Sequence, residues 1–286
     1  MARLGSPTRY PALAAVTDHA ASTEGTDASV TAITTANVSE AFDEAAERYD
    51  LMVGLNPGYH DHLRSAADAL AERLPRPSGS NGAAVLRLAD LGCGSGASTR
   101  AVLNATQARG VRARIVGVDA SAGMLEQARA KRWPPGISFE IGMAEELAFA
   151  RDSWGLGDRV PGVFAAYLFR NVAERDKVLA SVFDLLDDDG TFVVQEYSVA
   201  GSPVAAAVWS LVCWTVVIPL SWLTSRQTRL YRYLWRSVLR FDSVQVFADR
   251  LYGAGFTDVE VRTVSGWQRG ILHTFRARKP AVAPRP

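Results

Sequence analysis

The stretch that most constrains the fold runs from Leu86 to Asp119. An apolar run (Leu86, Leu88, Ala89, Leu91) ends on Asp90-Leu91-Gly92-Cys93-Gly94-Ser95-Gly96. A helical pattern follows, with Ala101, Val102, Leu103 and Ala105 as its apolar positions. A second apolar run, Ile115-Val116-Gly117-Val118, ends on Asp119. Strand, glycine turn, helix, strand and terminal acid make one βαβ unit. The glycines let the backbone turn sharply and let a ligand approach with no Cβ in the way. An acid at the end of the second strand can accept two hydrogen bonds from ribose hydroxyls.

Two ligand classes use this device. A dinucleotide site takes G-x-G-x-x-G or its G/A variant, which Gly92, Gly94 and Ala97 satisfy. A site for S-adenosylmethionine takes an acid two residues before the first glycine and then G-x-G-x-G, which Asp90, Gly92, Gly94 and Gly96 satisfy. The methionine cofactor carries an ammonium and no pyrophosphate. An acid at the strand end attracts the former and repels the latter, so the pattern favours the methyl donor. No Tyr-x-x-x-Lys pair supports an oxidoreductase site.

The chain has 286 residues, 48% of them hydrophobic, which is enough for one domain with a sizeable core plus a tail or insertion. A formal net charge of +1 gives no case for a nucleic-acid partner. Cys93 and Cys213 are too few for a disulfide framework and read as packed, reduced thiols in a cytosolic setting. No Cys/His cluster points to a metal.

Residues 1–36 are rich in Ala, Ser and Thr and read as a disordered tail. The expected domain covers residues 37–279, followed by a short tail over 280–286. Ser39 is a predicted N-cap for a helix through Phe42, Ala45, Ala46 and Tyr49. Asn56-Pro57-Gly58 separates it from a second helix, and residues 75–84 read as a loop. Beyond Asp119, β and α patterns alternate. Ser121 caps a helix, Ile137 to Ile141 is a third strand and Val160 to Tyr167 a fourth. Glu174 to Leu186 is a helix, Asp187 to Gly190 a turn, and Thr191 to Tyr197 a fifth strand. Thr257 to Val264 and Gly270 to Arg278 complete the set. The expected fold is therefore α/β: a doubly wound, seven-stranded, mostly parallel sheet of Rossmann-like type. Ligands then collect at the carboxyl ends of the strands, where Gly92, Asp119, Met143 and Arg170 fall.

An apolar helical insert separates strands five and six, over residues 198–242. No charged residue occurs from Tyr197 to Ser225, and Trp209, Trp214 and Trp222 lie within that stretch. Its length suffices to span a bilayer. Pro219 interrupts it, however, and a single crossing would strand the last two β-strands on the wrong side of the membrane. The following segment places Arg226, Arg229, Arg232, Arg236 and Arg240 within roughly a third of a helix circumference at ~100° per residue. Two readings stay open: a surface for anionic lipid, or a buried helix beside a solvated basic one. Either is compatible with an insert that walls a greasy substrate pocket.

Several further stretches carry a family resemblance, over about residues 39–279. Phe42, Ala46, Tyr49 and Asp50 form F-x-x-x-A-x-x-Y-D. Arg170-Asn171-Val172 follows the fourth strand, and Val193-Val194-Gln195-Glu196-Tyr197 forms the fifth. Tyr231-Arg232-Tyr233-Leu234 with Ser237, then Ala254-Gly255-Phe256, then Gly270-Ile271-Leu272-His273 complete the set. With these motifs the chain resembles class I methyltransferases of the ubiquinone/menaquinone-biosynthesis C-methyltransferase (UbiE-like) family.

The resemblance implies methyl transfer from S-adenosylmethionine to a ring carbon of a polyprenylated quinol. By position it implies that Asp90, Gly92, Ser95 and Asp119 hold the cofactor, with Met143 and Ala144 beside the adenine. Tyr49, Gly94, Gly96, Met124 and Ala166 complete the expected cofactor set. Arg170 is expected near the acceptor ring, where it stabilises a phenolate or orients a water, because a guanidinium cannot serve as a base. His273 is a second catalytic candidate, with satisfied packing as its alternative. Asn171, Tyr233 and Trp209 are expected to line the acceptor pocket. The expected partner is a lipophilic small molecule, with cytoplasmic location at the inner membrane face and an open oligomeric state. Transfer to another lipophilic acceptor (phenol, polyketide, carotenoid or sterol) and a non-catalytic cofactor- or membrane-binding module remain open alternatives.

Overall fold

The central strands are largely apolar, because their successive side chains feed two different cores. In the first strand, Ala89 and Leu91 pack into one core while Leu88 packs into the other. In the fourth, Val163 and Ala165 alternate with Phe164 and Ala166 in the same way. The computed structural model describes residues 8–9, 37–54, 56, 58–75, 85–224 and 228–281, with only the backbone of 8–9, 47–53 and 224. Apart from Thr8–Arg9, the expected N-terminal tail lies outside the described residues.

The strands are β1 (Leu86–Leu91), β2 (Ala113–Asp119), β3 (Ile137–Ile141), β4 (Val160–Ala166), β5 (Leu186–Tyr197), β6 (Thr257–Thr263) and β7 (Leu272–Arg278). They form one sheet in the order β3-β2-β1-β4-β5-β7-β6. The first five are parallel, and β7 runs antiparallel to both of its neighbours. The two-residue strand Thr8–Arg9 pairs antiparallel with Val261 and Glu260 on the outer edge of β6.

Helices cover both faces. On one face lie α2 (Tyr59–Ala71), with Leu63, Ala66 and Leu70 inward, and α3 (Ala97–Ala108), with Val102 and Leu103 inward. The preceding helix, α1 (Val38–Gly54), packs along α4 (Ala122–Ala130). The short α5 (Leu147–Ala150) follows β3. On the opposite face, α6 (Arg175–Leu185) contributes Val178, Leu179 and Val182 to the larger core. Between β5 and β6 the chain forms α7 (Pro203–Val212), a π-turn over Cys213–Val217, α8 (Ile218–Thr224) and α9 (Thr228–Arg240). The last helix, α10 (Val244–Gly253), returns to the larger core through Phe247 and Leu251.

Two local expectations need correction. The Asp187–Gly190 turn is part of β5, which begins at Leu186. Leu186 pairs with Val160, and Asp189 and Gly190 exchange backbone bonds with Lys279, so the neighbouring strand ends hold the turn in the sheet. Pro219 does not interrupt the insert either. One turn before it the helix widens, and Ile218 N–H donates to the Cys213 carbonyl five residues back. The wider turn takes up the missing proline N–H without a break. Pro203–Leu223 is thus a continuous 21-residue helix.

Candidate active site

The strand ends of β1, β2, β3 and β4 and the helix α1 enclose a first cavity. Its floor is the glycine turn. Gly92 and Gly94 hold φ of +67° and +53°, a backbone region that favours glycine. The turn is fixed from β2: Gly94 N–H donates to Asp119 Oδ2 at 2.7 Å, and Ser121 N–H donates to Asp119 Oδ1 at 2.9 Å. A carboxylate has about four lone-pair sites, so acceptor capacity remains for two hydroxyls. Burial raises the Asp119 pKa against these backbone bonds.

Asp90 lies behind the floor and is fully buried. Its Oδ2 accepts from the Ser98 and Thr99 hydroxyls at 2.7 and 2.6 Å, while its buried Oδ1 has no partner among the described residues. Burial lifts its pKa to about 7 despite the two hydroxyls. An orphaned carboxylate oxygen in such a place calls for a cation.

From the α1 side, Ser39 and Phe42 close the cavity. Asp43 fastens this lid: its Oδ1 accepts from Ser121 Oγ at 2.5 Å and from Gly123 N–H at 2.8 Å.

A second cavity, of about 370 Å³, opens between the sheet and the insert. Trp209, Cys213, Leu220, Leu234, Trp235 and Val238 give it an apolar, aromatic wall. Tyr59, Tyr167 and Arg170 line both cavities and therefore mark where the two meet. Arg170 is buried, and its Nη1 donates to Glu196 Oε1 at 2.5 Å. Glu196 also accepts the backbone N–H groups of Arg170 and Tyr197. The guanidinium is thus anchored by the very strand that floors the second cavity. Rings stack beside it in a row: Tyr59 to Tyr167 at 5.5 Å, Tyr167 to Tyr197 at 5.2 Å and Tyr197 to Trp209 at 4.9 Å.

Gly92, Gly94, Ser95, Asp119, Met124 and Met143 line the first cavity as expected. Ala144 and Ala166 do so too, whereas Asn171, expected in the acceptor pocket, lines this first cavity and not the second. Asp90 and Gly96 do not line it. Gly96 instead caps α3, with the Trp133 ring in the space where its Cβ would stand. Trp209 lines the second cavity as expected.

Tyr233 lines neither cavity. Its hydroxyl bonds Asn171 Oδ1 at 3.2 Å, and it is Tyr231, two residues earlier on α9, that faces the second cavity. The Tyr49 side chain lies outside the described residues. His273 is a correction: it lines neither cavity, lies mid-sheet in register with Glu196, and burial lowers its pKa to about 4. A neutral imidazole sealed in the sheet has no access to a reacting group; its place is a packing position, although not the satisfied one expected, since Nδ1 lacks a partner among the described residues.

Tyr59, Tyr167, Tyr197 and Glu196 were missed as site residues. Tyr167 and Tyr197 stand at the carboxyl ends of β4 and β5, the place where ligands of such sheets collect, and that rule alone would have flagged them.

A model of the ubiE/COQ5 methyltransferase family matches residues 30–279. The chain belongs to this family. It is a methyltransferase whose methyl donor is S-adenosylmethionine. The "Ubiquinone/menaquinone biosynthesis C-methyltransferase UbiE" of Nitrobacter hamburgensis is 30% identical over 234 residues, covering 80% of this chain and 87% of that protein. The "Demethylmenaquinone methyltransferase" of Clavibacter sepedonicus is 30% identical over 253 residues, covering 87% and 94%.

Among solved structures, the cyclase SpnF aligns with a TM-score of 0.58 at 16% identity, over 88% of this chain and 98% of that one. Phosphoethanolamine N-methyltransferase 2 of Haemonchus contortus aligns with a TM-score of 0.55 at 18% identity, over 86% and 59%. These two likenesses show the fold alone, and their different chemistries underline that fold does not fix reaction.

Membership in the ubiE/COQ5 family accounts for the division of this site into a polar and an apolar half. The two cavities meet at Arg170, which lines both.

Proposed function

We propose that the chain methylates a ring carbon of a polyprenylated quinol of the demethylmenaquinol kind, at the cytoplasmic surface of an anionic bilayer. The observation that carries this reading is the junction of a polar, glycine-floored cavity with an apolar, aromatic one at Tyr59, Tyr167 and Arg170.

The residues fit S-adenosylmethionine. Asp119 has acceptor capacity left for ribose hydroxyls, and Asp90, behind the glycine floor, favours a cation such as the amino-acid ammonium in front of it. Gly92, Gly94 and Ser95 line the approach, with Met143 and Ala144 along the wall after β3. When bound, the cofactor supplies a methyl group already activated on a sulfonium.

The chain therefore has to position the acceptor and help it ionise. The quinol hydroxyl gives its proton to water, and the oxygen pushes electron density to the ortho carbon. That carbon takes the methyl as the methyl–sulfur bond breaks; it then loses its ring proton while the oxygen regains one from water, so one proton is released overall. Arg170, held rigid by Glu196, stabilises the ionised oxygen. The aromatic row from Tyr59 to Trp209 offers flat surfaces for the ring.

Incubation with S-adenosylmethionine and reduced demethylmenaquinone, followed by product mass and fragmentation, tests the reaction. One added methyl on a ring carbon is the expected result. A methyl on oxygen, or no product while cofactor binding persists, would move the acceptor to another lipophilic phenol or acid.

The insert supports the membrane part. Only 28% of the Pro203–Leu223 window is buried, which rules against the wholly buried reading. Val204, Leu223 and Trp222 are 75%, 72% and 60% exposed. A crossing helix is excluded on topology, since β5 before it and β6 and β7 after it share one sheet. Arg229, Arg232, Arg236 and Arg240 are exposed on the adjoining α9. Apolar side chains beside a basic row match an anionic lipid surface.

Vesicles containing phosphatidylglycerol should carry the protein in flotation, and pure phosphatidylcholine vesicles should not. Arg236→Gln with Arg240→Gln should weaken that binding roughly 30-fold, at about 1 kcal/mol per arginine. Failure to float, together with concentration-dependent dimers lost in Trp222→Asp, would instead make this face an interface between copies.

A further inference from the structure

The hydroxyl of Tyr167 is the unusual group at the junction. Tyr167 directly follows β4 and takes φ of +60°, a left-handed conformation that non-glycine residues avoid. Its own N–H is tied to the Gln195 carbonyl at 2.7 Å, so the sheet imposes the turn. Its ring is held on both faces, by Tyr59 at an interplanar angle of 18° and by Tyr197 at 24°. A strained backbone and a clamped ring together fix one side chain where the two cavities meet.

Its hydroxyl is buried and has no partner among the described residues. Two nearby tyrosines differ in this respect. The Tyr197 hydroxyl accepts from Gln268 Nε2 at 3.2 Å and from Asn56 Nδ2 at 3.5 Å, and the Tyr233 hydroxyl bonds Asn171. Buried hydroxyls are almost always paired, and one left open beside a ligand cavity fits a ligand atom. The Arg170 guanidinium lies 5.7 Å from the Tyr167 ring centroid, so positive charge is at hand for the same atom.

We infer that the Tyr167 hydroxyl donates a hydrogen bond to the reacting oxygen of the acceptor ring, a catalytic contact made together with Arg170. The contact rests on the proposed methylation of a phenolic ring. Burial raises the Tyr167 phenol well above its ordinary pKa, so it keeps its proton and acts as donor rather than base. No atom is transferred to or from Tyr167. Its bond to the acceptor oxygen strengthens as that oxygen becomes anionic, which favours the ionised acceptor.

Tyr167→Phe keeps the ring and the stack and removes only the hydroxyl. With a short-chain demethylmenaquinol, the variant should lose roughly 10²-fold in kcat/KM. Cofactor affinity should stay within about two-fold of the parent, because the donor cavity keeps its walls. The rise of rate with pH, which reports ionisation of the acceptor, should move up by about one unit, because a hydrogen bond to the charged form is gone.

A second measurement does not depend on turnover. A nitronaphthol bound in the acceptor cavity should show a lowered ionisation pH by absorbance, and Tyr167→Phe should reverse part of that lowering. Unchanged rate, or a slower rate with an unmoved pH limb and an unmoved nitronaphthol titration, would overturn the inference. If the parent enzyme leaves the quinol unmethylated, the acceptor assignment fails, and the nitronaphthol titration alone decides the Tyr167 contact.

Discussion

Arg170→Ala is expected to lower methyl transfer by roughly 10²–10³-fold, the usual cost of removing a preorganised charge from a developing oxyanion. Cofactor affinity should stay within a few-fold, because the donor's polar partners lie on β1 and β2 rather than on the Arg170 turn. The same change should destabilise the fold by about 3–5 kcal/mol, since it leaves Glu196 buried without its cation. Glu196 is 0% exposed, and the Arg170 and Tyr197 backbone N–H groups alone would then face its charge.

The two effects can be separated. Arg170→Met combined with Glu196→Gln removes both charges and should recover most of the stability. It should recover none of the rate. Urea unfolding, methyl-transfer kinetics and cofactor titration on the two variants give the answer. A double variant that regains turnover along with stability would show that Arg170 matters only for folding.

Gly94→Ala should separate in the opposite way. At φ of +53° an alanine is strained, which costs about 1 kcal/mol of stability. The protein itself leaves room, because the new Cβ would meet only Met124 Cε, at 3.6 Å. Both residues line the donor cavity, so the methyl fills space the cofactor needs. Affinity for S-adenosylmethionine should fall roughly 10²-fold, as for an overpacked contact of about 3 kcal/mol.

Gly110→Ala is the matched control. It has a similar φ of +68° and no atom within 4 Å of its Cβ, and it lines neither ligand cavity. It should cost similar stability and leave cofactor affinity unchanged. Gly92→Ala would be a poor substitute, because its Cβ would lie 2.9 Å from Leu168 Cδ1 and the fold itself would be hit. Equal affinity losses in Gly94→Ala and Gly110→Ala would mean that the glycine turn matters only as a turn.

The glycine-floored part of the candidate site was readable in the chain because its residues are close in sequence. Asp90, Gly92, Gly94 and Asp119 belong to one βαβ unit, and local geometry brings them together with little help. Even there, sequence could not tell that Asp90 lies behind the cavity wall rather than in it. The acceptor half was read less well. Tyr59 on α2, Tyr167 after β4, Tyr197 on β5 and Trp209 on α7 form one row, yet they are spread across 150 residues of chain. On α9 the motif alone pointed to Tyr233, whereas helix rotation turns Tyr231 into the cavity. His273 was a catalytic candidate with packing as its alternative, and its place on the antiparallel strand between β5 and β6 keeps it from both cavities.

By itself the sequence determined the fold class, the cofactor and the family. Each of these is written in periodicity and in short runs whose meaning is local. The tertiary structure alone decided which side chains touch both cavities, that Glu196 holds Arg170, and that the insert turns one apolar side to the second cavity and leaves another exposed. Those facts depend on how distant elements pack and rotate against one another. A residue's neighbours along the chain do not fix its neighbours in space.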